Sequence, residues 1–336
     1  LSRITVKGFV SDTSGNILSN YNGVIYPTVY DKYTNISTLN NDGSGVFNFS
    51  LQKNILFKGK VSVVNGDFSF SFVVPKDIAY QYGVGRISYY ADNGDRDAAG
   101  WYENIIVGSS NPNAVADNLG PRIRLYLNDS NFVNGGMTDD SPKIYALVSD
   151  SNGVNTVGNG IGHDVVAVLD DKNDDAVVLN DYYVADLNSY QRGTIIYPFS
   201  DLSEGAHKLS LKVWDVYNNS TMAYTDFIVS KSSELALDHV LNYPNPFTTR
   251  TQFYFGHNQC CTDFTVQVQV FTVSGKLVKT LEQAVSTDGF RSTPIEWDGK
   301  DDYGDKIGKG VYVYRVKVRS TDGQTAEKYE KLVILN

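Results

Sequence analysis

The chain contains few residues whose types and spacing could form a catalytic site. Its two cysteines, Cys260 and Cys261, are adjacent, and His257 lies three residues before Cys260. A cysteine nucleophile needs a histidine base within hydrogen-bond reach and a third group that orients the base. We expect His257 and Cys260 to lie in a glycine-flanked loop, which is a poor scaffold for such a dyad. We therefore predict no catalytic residue in this sequence, and we place any active site outside it.

The same side chains have simpler interpretations. Adjacent cysteines can close only a strained eight-membered ring, so Cys260 and Cys261 are expected to be two partly buried thiols, with a reactive or intermolecular thiol as the alternative. His163 and His207 are expected at the surface or at strand ends. The many aromatic residues could stack on carbohydrate, but aromatics at alternate strand positions more often form core or cross-strand pairs.

Three acidic loops have the composition of calcium loops. Four oxygen-bearing side chains crowd the six residues from Asp92 to Asp97, which makes Asp92, Asp95 and Asp97 the leading candidate ligands. The loop at 171–175 lacks the glycine and the glutamate that a calcium loop needs at its sixth and twelfth positions. At 298–305 the acids are expected to accept backbone N–H groups beside a buried Trp297. The main expectation is that these loops are solvated turns and that the chain holds no metal or cofactor.

Composition narrows the class of protein. The chain has 336 residues, 41% of them hydrophobic, with 23 tyrosines and 29 glycines, which favours strands and tight turns over helices. Its formal net charge of -9 argues against nucleic acid and other anionic ligands. No apolar run is long enough to span a membrane as a helix. Because the chain starts at Leu1 without a methionine, we expect a removed signal peptide or a fragment of something longer.

Alternation of apolar and polar residues predicts strands throughout. In residues 1–110 we expect at least six, including Arg3–Val10, a strand at Gly23–Tyr30 whose Pro27 suggests a sheet edge, and a hairpin at Asn65-Gly66. Linkers of loop composition follow at 108–113 and 231–234.

Between the linkers, residues 118–231 have the size of an immunoglobulin-like sandwich, with Trp214 as the expected core anchor. In residues 238–336, Val266, Val268 and Val270 alternate with glutamines on a half-buried strand. The only amphipathic helical segment, Thr280–Val285, is too short to stand alone. The predicted fold is all-β, with three consecutive antiparallel, immunoglobulin-like β-sandwich domains at 1–110, 118–231 and 238–336.

Three motifs in the last hundred residues carry a family resemblance. They are Pro244-Asn245-Pro246-Phe247, Gly310-Val311-Tyr312 and Lys331-Leu332-Val333-Ile334. In this order they resemble the C-terminal sorting domain of proteins exported by the type IX secretion system of Bacteroidetes. The resemblance implies a docking surface that includes Pro244, Asn245, Pro246, Gly310, Tyr312, Lys331, Leu332, Val333 and Ile334. We expect 331–334 to form the terminal strand, which an outer-membrane β-barrel carrier would bind by strand addition or by pocket insertion.

Upstream segments resemble the region that follows the catalytic domain of a gingipain-like cysteine peptidase, the sortase of that system. The matching segments are 76–78, 85–91, 97–100, 118–123, 160–164 and 212–220. The resemblance implies a cell-surface protein whose parent cleaves the sorting domain from cargo and joins cargo to anionic lipopolysaccharide. The chain would then be its non-catalytic part, with a retained sorting domain.

Two other functions stay open. The chain could be a cell-surface adhesin or stalk that is itself cargo of the system and loses its sorting domain. Trp297-Asp298-Gly299 with Gly310-Val311-Tyr312 also resembles a flagellar-hook-cap-like structural domain, although that fold would leave the first two sandwiches unexplained.

Overall fold

A computed structural model describes residues 1–156, 162–230, 235–259 and 262–335 of the chain. These residues form 25 β-strands and no α-helix, and two single 3-10 turns lie at Asn173–Asp175 and Asn180–Tyr182. The all-β prediction is confirmed. No helix among the described residues is long and apolar enough to cross a membrane.

The chain divides into two compact units. The first comprises Leu1–Leu125, Tyr145–Tyr197 and Leu209–Tyr224, and the second comprises Tyr126–Ile144, Pro198–Lys208 and Thr225–Asn336. These units divide the strands of the middle predicted domain between them. The domain boundaries at 1–110, 118–231 and 238–336 therefore stay predictions, and below we call the three consecutive blocks of strands the first, second and third sandwich.

The first sandwich is built from nine strands: β1 (Arg3–Phe9), β2 (Gly23–Tyr30), β3 (Thr34–Ser37), β4 (Asn48–Leu51), β5 (Ile55–Lys58), β6 (Val61–Val63), β7 (Asp67–Val73), β8 (Gly83–Asp92) and β9 (Asp97–Val107). One sheet is β1-β7, the other runs β5-β2-β8-β9 with β6 beside β2, and β3-β4 form a separate hairpin. Apolar side chains of β2, β7 and β8, such as Ile25, Phe70 and Ile87, form its core.

The Asn65-Gly66 hairpin between β6 and β7 is confirmed. Both residues have positive φ, 52° and 85°, as a type I′ turn requires.

The prediction that Pro27 marks an edge strand is wrong. β2 lies inside its sheet, where Pro27 pairs with Tyr89 of β8. On its other side β2 faces two short strands, β5 and β6, which are interrupted opposite Pro27, and Gly59 donates its N–H to the Pro27 carbonyl. The missing N–H of proline is tolerated because it falls at this interruption.

The second sandwich also has nine strands: β10 (Arg122–Leu127), β11 (Met137–Thr138), β12 (Lys143–Ser149), β13 (Val166–Leu169), β14 (Val177–Val178), β15 (Tyr183–Ala185), β16 (Arg192–Pro198), β17 (Gly205–Trp214) and β18 (Ser220–Val229). The strand orders are β10-β12-β16-β15 and β11-β18-β17-β13-β14. The short β11–β18 pair is parallel, an exception to the antiparallel pattern.

Trp214 is not the core anchor that we expected. Along β17 the fully buried residues are Leu209, Leu211 and Val213, so the period of two turns Trp214 to the opposite face. There it is half-buried, and its ring lies 4.3 Å from that of His163.

The third sandwich has seven strands: β19 (Leu237–Tyr243), β20 (Thr251–His257), β21 (Asp263–Thr272), β22 (Leu277–Ser286), β23 (Ile295–Trp297), β24 (Gly310–Ser320) and β25 (Thr325–Ile334). Its sheets are β19-β20-β23 and β22-β21-β24-β25, and residues of both sheets form one core around Phe253, Trp297 and Tyr314. The segment Thr280–Val285 belongs to β22 and is a strand.

Candidate docking edge of the third sandwich

The last strand, β25, carries four of the predicted docking residues, and their side chains point alternately to the core and to the surface. Leu332 and Ile334 are buried, whereas Lys331 is exposed and Val333 is half-buried. This follows from the period of two, because β25 lies at the border of its sheet with one face on the core. Leu332 and Ile334 therefore act through folding, and only Lys331 and Val333 can contact a partner directly.

The outer edge of this part of β25 is closed by the chain itself. The Asn245 side chain donates to the Lys331 carbonyl and accepts from the Val333 N–H, both at 3.0 Å. Phe247 donates its N–H to Val333 and accepts the N–H of Leu335, at 3.1 and 2.9 Å. This clamp on β25, made by Asn245 and Phe247, occupies the backbone groups that an added strand would need. Strand addition at 331–334 would therefore have to displace this clamp, because the two outer motifs bind each other. Carrier docking by these residues stays a prediction.

The two prolines belong to the turn that delivers Asn245 to the edge. The Tyr243-Pro244 and Asn245-Pro246 peptide bonds are both cis. The Pro244 carbonyl accepts from the buried Thr251 hydroxyl at 2.9 Å, which ties the turn to β20. Phe247, which ends this motif, is buried with its ring 5.6 Å from that of Trp297.

Gly310 and Tyr312 lie on the neighbouring strand, β24, opposite Ile334 and Leu332. Gly310 has a φ of +156°, which L side chains rarely adopt. The Tyr312 hydroxyl donates to the Gly308 carbonyl at 2.8 Å, and burial raises the pKa of this phenol. These contacts indicate that both residues shape the start of β24.

A mixed surface is left beside the clamp. Val311 and Leu335 are exposed apolar residues close in register or sequence to the exposed Lys331, and Tyr243, also exposed, directly precedes the turn that carries Asn245. A surface of this kind can bind a protein partner. The structure thus brings the three motifs together at one border of the sandwich.

His257 is a core residue and not a loop base. It ends β20, and its ring lies near those of Phe255, Phe264 and Phe290. Burial lowers its pKa to about 4. Cys260 and Cys261 lie outside the described residues.

Two other histidines were expected at the surface or at strand ends, and both lie close to the start of a strand. His207, near the start of β17, is buried, and its Nε2 lies 2.7 Å from the Ser203 carbonyl. The His163 Nδ1 lies 2.8 Å from a carboxylate oxygen of Asp77. Both rings are held in place by these contacts.

The calcium candidates Asp92, Asp95 and Asp97 lie at the β8–β9 hairpin. Asp92 accepts the N–H of Gly94, and the Asn93 side chain accepts the N–H groups of Asp95 and Arg96. These oxygens therefore cap the turn.

At 298–305 the expected backbone bonds are present. The Asp301 carboxylate accepts the N–H groups of Tyr303 and Asp305, both at 2.9 Å. Trp297 is buried, as predicted.

Within the described ranges, the carboxylates that gather are instead those of Asp117, Asp150 and Asp215, each with an oxygen within 4.8 Å of the others. Oxygen donors of this kind suit a hard divalent cation. Burial raises the pKa of Asp150 and Asp215. Nothing in the local sequence indicates this group, since its members are far apart in the chain.

Comparison with known proteins shows a relative of substantial identity. The chain is 32% identical to a dimeric latent PorU from Porphyromonas gingivalis over 100% of its own length, with a TM-score of 0.43. It covers 32% of that protein, so it spans about a third of the length of PorU, and it fits a C-terminal region of PorU. The relationship rests on sequence identity.

Other solved structures are much more distant. A tetra-tandem repeat from the extending region of a large adhesion protein is 11% identical, with 99% of this chain and 81% of that chain covered and a TM-score of 0.23. A 1.5-MDa bacterial ice-binding adhesin is also 11% identical, with 99% and 90% covered and a TM-score of 0.21. No protein-family profile and no curated protein matches the chain.

Proposed function

This chain is related to PorU over its whole length, and from that premise we propose that it forms the non-catalytic C-terminal part of a type IX secretion sortase. The parent protein would cleave sorting domains from cargo at the cell surface and attach the cargo to anionic lipopolysaccharide. The first two sandwiches would support its catalytic domain. The observation that carries the proposal is the 32% identity to PorU along the entire chain.

We further propose that the third sandwich docks the parent on an outer-membrane β-barrel carrier through the surface beside the clamp on β25. The contact would be made by exposed side chains, because the backbone edge at Lys331 and Val333 is already paired. Lys331 and the exposed apolar residues Val311 and Leu335 are the side chains that we assign to it.

Mass spectrometry of the full-length protein recovered from cells tests the first proposal. A retained sorting domain, seen as peptides from β24 and β25 on the surface-bound protein, supports a sortase. Cleavage near 231–234 with loss of those peptides would show that the chain is cargo, as an adhesin or stalk would be, and would overturn the proposal.

Carrier binding tests the docking surface. The variant Lys331→Glu with Leu335→Ser changes two exposed side chains and leaves the clamp intact, and we expect roughly tenfold weaker binding in a pull-down or titration. Lys317→Glu is the matched control, because Lys317 is an exposed lysine of the same sheet. Equal loss in both variants, or no loss in the first, would contradict this assignment.

A further inference from the structure

Three arginines line one open groove in the first compact unit. Arg122 and Arg124 come from β10 and Arg192 from β16, with Leu147 and Ser149 of the intervening β12 between them. The groove has a volume of about 200 Å³. Its position on a sheet means that the backbone which carries these side chains is fixed by hydrogen bonds.

The strand geometry turns two of these arginines to the same side. Arg122 and Arg124 are two residues apart, so their side chains share a face of the sheet. Both are exposed, whereas Ile123 and Leu125 between and after them are half-buried toward the other face. The guanidinium groups therefore project into solvent over the groove.

These positive charges are poorly neutralised. Among the described residues, the one ion pair in the groove joins Arg192 Nε to Asp186 Oδ2 at 3.7 Å, with both side chains largely exposed. Such a pair contributes little. Arg122 and Arg124 have no ion pair within the described part of the chain. The nearby Asp150 uses a carboxylate oxygen to accept the N–H groups of Asn152 and Gly153, and it does not line the groove.

Five cations flank a single loop. Arg3 and Lys60 line a second groove, together with Asn188 and Tyr190 from the loop that joins β15 to β16. The ends of the same loop, at Asp186 and Arg192, line the arginine groove. The chain has a formal net charge of -9, whereas the surface around this loop is locally positive.

We propose that the arginine groove binds a phosphate-bearing ligand. A guanidinium group presents a planar fork that matches two oxygens of a phosphate, and three such groups in one groove can hold a phosphate monoester from several sides. The expectation against anionic ligands followed from net charge, which averages over the surface and does not describe this groove. The site is independent of the docking surface on the third sandwich.

Binding of two probes to the full chain tests the proposal. The first probe is inorganic phosphate, followed by titration calorimetry, and the second is a phosphatidylcholine vesicle with or without phosphatidic acid, followed by co-sedimentation. Binding of phosphate alone identifies a soluble ligand, and binding of the phosphatidic acid vesicle alone identifies a lipid headgroup. Either result supports a phosphate site, and the absence of both overturns it.

Variants separate the groove from general electrostatics. We expect Arg122→Gln with Arg124→Gln to weaken binding roughly tenfold or more, while Arg250→Gln with Arg319→Gln, two exposed arginines outside the groove, changes it less than about twofold. Arg122→Lys with Arg124→Lys keeps the charge but loses the fork, so it should also bind more weakly. Wild-type affinity in the glutamine variant, or equal loss in the control, overturns the proposal. Arg192→Gln changes an arginine of the same groove on a different strand, β16, and should also weaken binding.

Discussion

Border strands of the first sandwich and the last strand of the third differ in what covers their outer edges. In the first, β1 and β9 each have one neighbouring strand, and a cleft of about 790 Å³ lined by apolar side chains lies between them. Trp101 and Ile106 on β9 remain 68% and 67% exposed. In the third, the C-terminal half of β25 is closed by Asn245 and Phe247.

The difference lies in what covers the edge and not in the strands themselves. Both sandwiches use alternating apolar residues to build a core between two sheets. An uncovered edge presents unpaired N–H and C=O groups together with apolar side chains, which is a template for further pairing. The closed border makes the stability of the third sandwich depend on contacts within its own residues.

The largest predicted effect compares one substitution at the two borders. Ile334→Ala removes a buried side chain of β25 and should cost about 2–5 kcal/mol, because it leaves a cavity in the core. Ile106→Ala removes an exposed side chain of β9 and should stay within about 0.5 kcal/mol. Hydrogen exchange followed by mass spectrometry reports each sandwich separately. Similar costs at both sites would break the comparison.

A buried histidine should make the third sandwich sensitive to acid. Because burial lowers the pKa of His257 to about 4, the folded state binds a proton less readily than the unfolded chain, whose histidine pKa is 6.5. The contribution of the neutral His257 to the free energy of unfolding is fully present above pH 6.5. It is lost as the pH falls toward 4, which lowers the free energy of unfolding by on the order of 3 kcal/mol.

The variant His257→Phe should remove most of that loss. Urea midpoints of the third sandwich measured between pH 7 and pH 4 check this. Residues 1–110 contain no histidine and provide the internal control. An unchanged pH profile in the variant would rule out His257 as the cause.

The clamp itself is expected to contribute less. Asn245→Ala removes two hydrogen bonds to β25 and should cost about 1–2 kcal/mol, with faster exchange of the Val333 amide. Asn245→Asp keeps the acceptor for that amide and loses the donor to Lys331, so its effect should be smaller. Unchanged protection of Val333 in the alanine variant would mean that the edge is held by Phe247 alone.

The smallest effect concerns two glycines, one on the border strand β9 and one on β24 beside the border strand β25. A Cβ at Gly100 of β9 would meet no atom within 4 Å, so Gly100→Ala should stabilise the first sandwich by roughly 0.5 kcal/mol. Gly310→Ala in β24 should destabilise, because the backbone there has a φ of +156°. Thermal melts of the two variants decide the sign, and stabilisation by both would argue against strain at Gly310.

Local patterns were enough to predict most strands. Alternation places Val266, Val268 and Val270 on the buried face of β21, and the Asn65-Gly66 turn needs only its own two residues. These features depend on neighbours in sequence, which is why they can be read without a structure.

The errors concern contacts between distant residues. The prediction of an edge strand at Pro27 was wrong because the interruption between β5 and β6, which accommodates the proline, lies some thirty residues away in the chain. The closed edge at β25 could not be foreseen, because alternation predicts a strand but not what pairs with its outer side. The Asp117, Asp150 and Asp215 group has no contiguous signal at all. Long-range pairing decides each of these cases, and a single sequence does not encode it locally.

The clamp on β25 has a consequence for the order in which this protein can fold. Leu332 and Ile334 complete the core of the third sandwich, and they follow all its other strands in the chain. Because synthesis proceeds from the N-terminus, β19 to β24 are made before β25. The core of the third sandwich is therefore incomplete until β25 has been synthesised. We expect the third sandwich to remain incomplete during that interval, while the first sandwich can already be folded.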